Sequence, residues 1–166
     1  MKTVLQRVKK AAITINGQER REIGEGLVVL AGFGKEDNSE TIGKTFDKIK
    51  NLRIFSNAEG KFDLSISDIK GELLIVSQFT LYGDCKKGKR PDFSSAAPFE
   101  QGKTLYEEFI KTAKQSNLKV KTGEFGADML VEIHNDGPVT IILNNDNSND
   151  NGNGFSQGAQ VDIMAK

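Results

Sequence analysis

The chain has 166 residues, 23 basic and 23 acidic, with a net charge of zero, one cysteine and one histidine. This length suits one domain with a real core, and the charge balance excludes a wholly basic nucleic-acid binder but not a local basic patch. A lone Cys85 excludes a disulfide framework or a Cys-rich zinc site, and a lone His134 excludes a multi-His metal centre and speaks against a His-based triad.

Residues 1–9 interleave charged and apolar groups and contain no apolar h-region. The longest apolar run, Leu27 to Phe33, is too short to span a bilayer. The expectation is a soluble, cytoplasmic protein with no membrane partner. Val4, Gln6 and Val8 alternate with Leu5 and Arg7 and predict a strand. Ala11, Ile13 and Ile15 predict a second one, ended by the hairpin signal Asn16-Gly17. Gly26 to Phe33 is almost continuously apolar, as for a strand buried on both faces.

Ile42, Phe46 and Ile49 recur at i, i+4 and i+7 behind a capping pair, Asp37 and Glu40, and predict a helix over 39–51. Residues 52–55 predict a short strand and 57–60 a turn. A strongly apolar strand follows over 72–80, then a long loop over 82–97. Pro98 opens a second helix, with Leu105, Phe109 and Ala113 on one face and Tyr106 and Ile110 beside them. Segments 118–122, 129–135 and 138–143 read as strands. Strands and helices are therefore mixed, in one α/β domain without a Rossmann fingerprint. Over 144–154, six of eleven residues are Asn, two Asp and two Gly, which predicts a flexible extension. For 155–166, with Val161 and Ile163, disorder is favoured over an added edge strand.

Four segments carry possible chemistry. Ser77-Gln78-Phe79-Thr80 ends an apolar strand. Its polar groups either cap the strand or form, with backbone N–H groups, a place for an oxyanion. Lys86-Lys87-Gly88-Lys89-Arg90 puts four cations into five residues, either a solvated face or a phosphate contact. In Thr122 to Met129, glycines on either side of Phe125 permit close approach of backbone to a strand or a ligand. Asn135-Asp136-Gly137-Pro138-Val139-Thr140 reads as a tight turn, with an X–Pro bond that can be cis. P-loop, nucleophile-elbow and metal-ligand motifs are missing.

Taken together these segments resemble the D-aminoacyl-tRNA deacylases, from residue 1 to about residue 143. The resemblance is also carried by Gln6-Arg7-Val8, by Gly26-Leu27 with Val29-Leu30, and by Arg53-Ile54-Phe55. Glu59-Gly60-Lys61, Ser77 to Leu81, Arg90-Pro91 with Phe93, and Gly123 with Phe125 and Met129 complete it. It implies a deacylase domain over 1–143 followed by the 144–166 extension. The domain is expected to be a single layered β/β/α unit with two main helices, forming a homodimer with active sites at the interface. The implied reaction is hydrolysis of the ester that joins a D-amino acid, or glycine, to the 3′-terminal adenosine of tRNA, without metal or cofactor.

By the same resemblance Ser77, Gln78, Phe79 and Thr80 form the catalytic pocket. Gly137 and Pro138 form a cis dipeptide reaching into the partner's pocket, and Phe125, Met129 and Arg7 bind substrate. Lys86, Lys87, Lys89 and Arg90 are the expected tRNA contacts. No base stands at suitable spacing to activate Thr80 as a nucleophile. An orienting Thr80, an N–H such as that of Phe79 and the ribose 2′-OH beside the ester offer another route. Two other readings remain open: an RNA-binding module without catalysis, and an esterase with Thr80 as nucleophile.

Overall fold

The computed structural model describes residues 1–145 and the backbone of 160–164. The elements run β1 (Lys2–Ile15), β2 (Glu19–Ile23), β3 (Gly26–Gly32), α1 (Ser39–Asn51), β4 (Phe55–Ser56), β5 (Phe62–Leu64), β6 (Glu72–Ser77), a 3-10 turn (Phe79–Tyr82), α2 (Phe99–Lys114), β7 (Lys119–Thr122), β8 (Met129–Asn144) and β9 (Gln160–Met164). This is a mixed α/β domain. Its main sheet has the order β7-β6-β3-β1-β8-β9, with β2 also on β1. β3, β6 and β7 are mutually parallel, while β1 is antiparallel to β3 and β8.

Period-two alternation sends side chains to two cores. Leu27, Val29, Ala31, Leu73 and Ile75 point to one face, where α1 and α2 cover them with Ile42, Phe46, Ile49, Leu105 and Phe109. Edge-to-face ring pairs lock that layer: Phe46–Phe109 at 6.0 Å and Phe33–Phe109 at 6.3 Å between centroids. Val28, Leu74 and Val76 point to the other face. There they meet Ala11, Ile13, Ile15 and Ile23 from the far half of β1 and from β2. Residues 2–8 of β1 pair with β3 and residues 11–15 with β2, so one strand belongs to both layers. The result is helices on sheet on sheet.

Several sequence expectations need correction. The two strands expected over 4–8 and 11–15 are one, β1, with a bulge at Lys9, which has no residue of β8 to oppose it. The strands expected over 129–135 and 138–143 are likewise one, β8. The hairpin turn has its anticipated chemistry, with positive φ at Asn16 and Gly17. The strand after it was not legible, since Glu19-Arg-Arg-Glu-Ile23 has a single apolar residue. Helix α1 is capped by Asn38, whose side chain accepts the N–H groups of Glu40 and Thr41, rather than by Asp37. Asp37 instead accepts the N–H of Gly34 at 2.6 Å and binds the Met1 ammonium. The short strand expected over 52–55 lies at 55–56, paired with the unanticipated β5. The strand expected to reach Thr80 stops at Ser77. Residues 146–159 of the Asn-rich extension lie outside the described residues. Residues 160–164, for which disorder was favoured, form an edge strand on β8. Among the described residues, no helix is long and apolar enough to cross a membrane.

Candidate active site

β6 ends at Ser77, and the chain turns at once into the 3-10 turn that carries Phe79 and Thr80. The Gln78 N–H donates to the Ala31 carbonyl at 2.7 Å, which anchors the turn on β3. Gln78 Nε2 donates to Thr80 Oγ1. The first N–H groups of the turn, those of Phe79 and Thr80, have no acceptor among the described residues, as expected at the start of a helical turn. They lie beside two side chains capable of hydrogen bonding. Phe79 is 58% exposed, and its ring meets Phe93 edge to face at 5.1 Å. The geometry is an exposed cluster of donors at the carboxyl end of a parallel strand, where open α/β sheets bind ligands.

The segment after β7 leaves from the same edge, since the Gly123 N–H donates to the Ile75 carbonyl at 2.8 Å. Buried Tyr106 fastens both, its hydroxyl donating to the carbonyls of Ile75 at 3.0 Å and Gly123 at 3.3 Å. Burial pushes the Tyr106 phenol well above its ordinary range. Phe125 packs between Phe99, edge to face at 5.2 Å, and Tyr106, tilted at 5.8 Å. A Cβ on Gly123 would lie 2.6 Å from the Met129 sulfur, so this glycine lets Met129 pass. The structure thus brings Phe125 and Met129 to the strand edge that carries Ser77.

The Gly137–Pro138 bond is cis, and Gly137 has φ +120°. Here a single residue of β1, Arg7, faces the four residues 136–139 of β8. The bulge exposes Gly137 and Pro138. Arg7 is buried behind it. Its Nη1 donates to the Ile54 carbonyl at 2.7 Å and its Nε to the Asp136 carbonyl at 3.1 Å, with the Asp136 carboxylate 3.3 Å away. A Cβ on Gly137 would lie 3.1 Å from Arg7 Nη2. Lys9 Nζ is also 3.3 Å from that carboxylate, whose hydrogen bond raises the Lys9 pKa. Within its own chain Arg7 thus donates through Nε and Nη1. Asp136, Lys9 and the Ile54 carbonyl are the partners missed in the sequence. Only Arg7 itself, a cation within an apolar strand, hinted at them.

The two motifs do not meet within one chain. Ser77 pairs with Ala31, Ala31 with Thr3, and Thr3 with Leu143, whereas Gly137 faces Arg7, whose partner on β3 is Leu27. Four residues along the strands and three strands across separate them by about 20 Å.

The basic segment is the tip of a tongue closed by paired N–H to carbonyl bonds between Asp84 and Asp92, at 2.7 and 2.9 Å. Lys86, Lys87, Lys89 and Arg90 are all exposed. Lys86 approaches Asp84 at 3.8 Å, and the other three form no ion pair among the described residues. The tongue begins at the 3-10 turn and is tied back to it by Phe93 on Phe79. His134 lines a cleft of about 480 Å3 with Arg20, Glu72 and Glu132. Glu72 lies five residues from Ser77 on β6, about 17 Å away along the strand. Among the described residues, no three His, Cys, Asp or Glu side chains cluster as metal ligands.

Comparison with known proteins agrees with these motifs. The family model described as D-Tyr-tRNA(Tyr) deacylase matches residues 4–144. A protein of Thermosipho africanus (strain TCF52B) named D-aminoacyl-tRNA deacylase is 57% identical over 143 residues, 86% of this chain and 96% of its own. One of the same name from Clostridium botulinum (strain Alaska E43 / Type E3) is 56% identical over the same length and shares. Among solved structures, one named c-Myc DNA Unwinding Element Binding Protein superposes with a TM-score of 0.81 at 42% identity, over 87% of this chain and 98% of its own.

Proposed function

The chain belongs to the D-Tyr-tRNA(Tyr) deacylase family, and from that premise we propose how it, as a hydrolase of the D-aminoacyl-tRNA ester, selects and cleaves its substrate. The observation that carries the proposal is the separation of the Ser77–Thr80 turn, where Phe79 and Thr80 are exposed, from the exposed Gly137–Pro138 bulge. About 20 Å apart in one chain, the two can serve one site only if a second copy supplies one of them. A homodimer with two shared sites follows, and twofold dimers are the commonest closed assembly.

In this reading the terminal adenosine rests near Phe125 and Met129, and the ester carbonyl faces the N–H of Phe79. That N–H stabilises the oxyanion as charge develops on it. Gln78 and Thr80 orient the attacking water, and the ribose 2′-OH assists departure of the 3′-oxygen. Among the described residues, no side chain is hydrogen-bonded to Ser77 or Thr80 as a base that would make either a nucleophile. The partner's Gly137–Pro138 backbone forms a wall against Cα. A D side chain points away from it, while an L side chain points into it and is rejected. Glycine has no side chain to reject, so glycyl-tRNA is also cleaved. The tongue of Lys86, Lys87, Lys89 and Arg90 holds tRNA phosphates.

Complementation tests the shared site. Gln78→Ala with Thr80→Ala disables the turn, and Gly137→Val disables the wall; each variant alone is expected to be inactive as a homodimer. Co-refolded in equal amounts, they should regain about a quarter of the wild-type sites, because half the dimers are mixed and each mixed dimer holds one intact pair. No recovery in a mixture shown to contain mixed dimers contradicts the proposal.

A further inference from the structure

Four large apolar side chains are exposed among the described residues: Phe62, Phe79, Phe99 and Leu130. Scattered singly, such side chains need no explanation. Phe99 is not isolated. It opens α2 at the carboxyl end of the parallel strands, where the Ala97 N–H donates to the carbonyl of Phe33, just past β3, at 2.9 Å. At 61% it is about as exposed as Phe79 at 58%, yet no motif read from the sequence contains it.

The Phe99 ring is held in place. Phe125 meets it edge to face. Gly126, at φ +75°, brings its backbone against the same ring: a Cβ there would lie 3.1 Å from Phe99 Cε2 and 3.3 Å from Cζ. Pro98 fixes the backbone just before the helix. The aromatic contacts also lead outward from the candidate active site in order. Buried Tyr106 donates to the Ile75 carbonyl of β6, half-buried Phe125 packs on Tyr106, and exposed Phe99 packs on Phe125. The last member of this series is a fixed aromatic surface open to water.

We propose that Phe99 is the stacking platform for the base of the nucleotide immediately 5′ of the terminal adenosine. The proposal rests on the deacylase reading, which puts the ester at Ser77–Thr80 and the adenosine near Phe125. The residues then follow the order of the substrate: ester at the turn, adenosine at Phe125, preceding nucleotide at Phe99. The acceptor end is single-stranded, and unpaired bases are held by stacking on exposed aromatic side chains. Every base has a π-face, so the contact accepts any base at that position. Phe99 is a positioning residue. It fixes the direction in which the strand enters and takes no part in cleavage of the ester.

The test compares three substrates: D-aminoacyl-tRNA, the same tRNA made abasic at the penultimate position, and D-aminoacyl-adenosine, which lacks that nucleotide. Phe99→Ala should raise KM for the intact tRNA ester at least about fivefold, the lower end for losing one stacked base, with kcat unchanged. Phe99→Leu, which keeps apolar bulk against Phe125 but has no ring, should behave like Phe99→Ala, and Phe99→Tyr should behave like the wild type. The abasic tRNA should raise the wild-type KM by a similar factor, and Phe99→Ala should add nothing to that. Cleavage of D-aminoacyl-adenosine should be the same in all four proteins. If the wild type cleaves the tRNA ester and Phe99→Ala leaves its KM unchanged, the stacking proposal alone is overturned. The same holds if Phe99→Ala impairs the adenosine ester equally, or if it weakens the abasic tRNA as much as the intact one, since Phe99 would then only support Phe125. A wild type that cleaves none of the three overturns the deacylase reading and the platform together.

Discussion

Arg7 shows how much of the Gly137–Pro138 bulge depends on one buried side chain. Its guanidinium reaches the Ile54 carbonyl and the Asp136 backbone at once and touches Gly137. A lysine has neither the fork nor the rigidity to do both. Arg7→Lys should therefore lower kcat on D-esters at least about tenfold while the protein still folds, because the bulge loses its fixed position; steady-state kinetics beside circular dichroism would check this. Tyr106 gives a pH prediction. Its folded-state pKa is raised by burial, so the folded state keeps the proton after the unfolded chain has released it. The stability this gives is complete below the unfolded value, about 10, and is lost as pH rises above that value. Tyr106→Phe should remove this part of the alkaline slope while costing about 1 kcal/mol at neutral pH for the missing hydrogen bond; chemical denaturation at pH 7 and pH 11 measures both. At this scale the sequence showed which residue types were special but not their partners. Nothing near Arg7 in the chain points to Ile54 or Asp136, because that arrangement exists only once β1 and β8 are paired out of step.

At the scale of elements, two glycines predict opposite outcomes. A Cβ on Gly26 would lie 1.9 Å from the Glu72 carbonyl oxygen, so β3 and β6 meet backbone to backbone there. Gly26→Ala should cost about 3 kcal/mol, the upper end for overpacking, and lower the melting temperature by roughly 6–12 °C. Gly43 sits exposed within α1 with nothing near its absent Cβ. Gly43→Ala should add about 0.5–1 kcal/mol through helix propensity alone, and differential scanning calorimetry of the pair checks both signs. Elements with strong periodicity were legible: Ile42, Phe46 and Ile49 fixed α1 to the residue, and Gly26 to Phe33 announced a strand covered on both faces. β2 was not legible, since it is an edge strand with four polar residues. The breaks read into β1 and β8 were bulges, where pattern is lost although pairing continues.

At the scale of the molecule, one mixed α/β domain was legible because α1, β3, β6 and α2 carry strong apolar patterns, whereas its layering was expected only from the family resemblance. The site was legible as motifs and not as geometry, since pairing register alone reveals that Ser77 and Gly137 lie far apart. Sedimentation at micromolar concentration should give about twice the 18.2 kDa chain mass. A monomer with full activity would contradict the shared site. The central claim is that a wall of backbone, with no side chain of its own, reads the configuration at Cα. The most direct measurement is the single-turnover deacylation rate of one tRNA charged in turn with a D-amino acid, its L enantiomer and glycine. The account predicts cleavage of the D-ester and the glycyl ester, with the L-ester hydrolysed no faster than in buffer. Comparable rates for the D- and L-esters, or a glycyl ester rejected along with the L-ester, would contradict it.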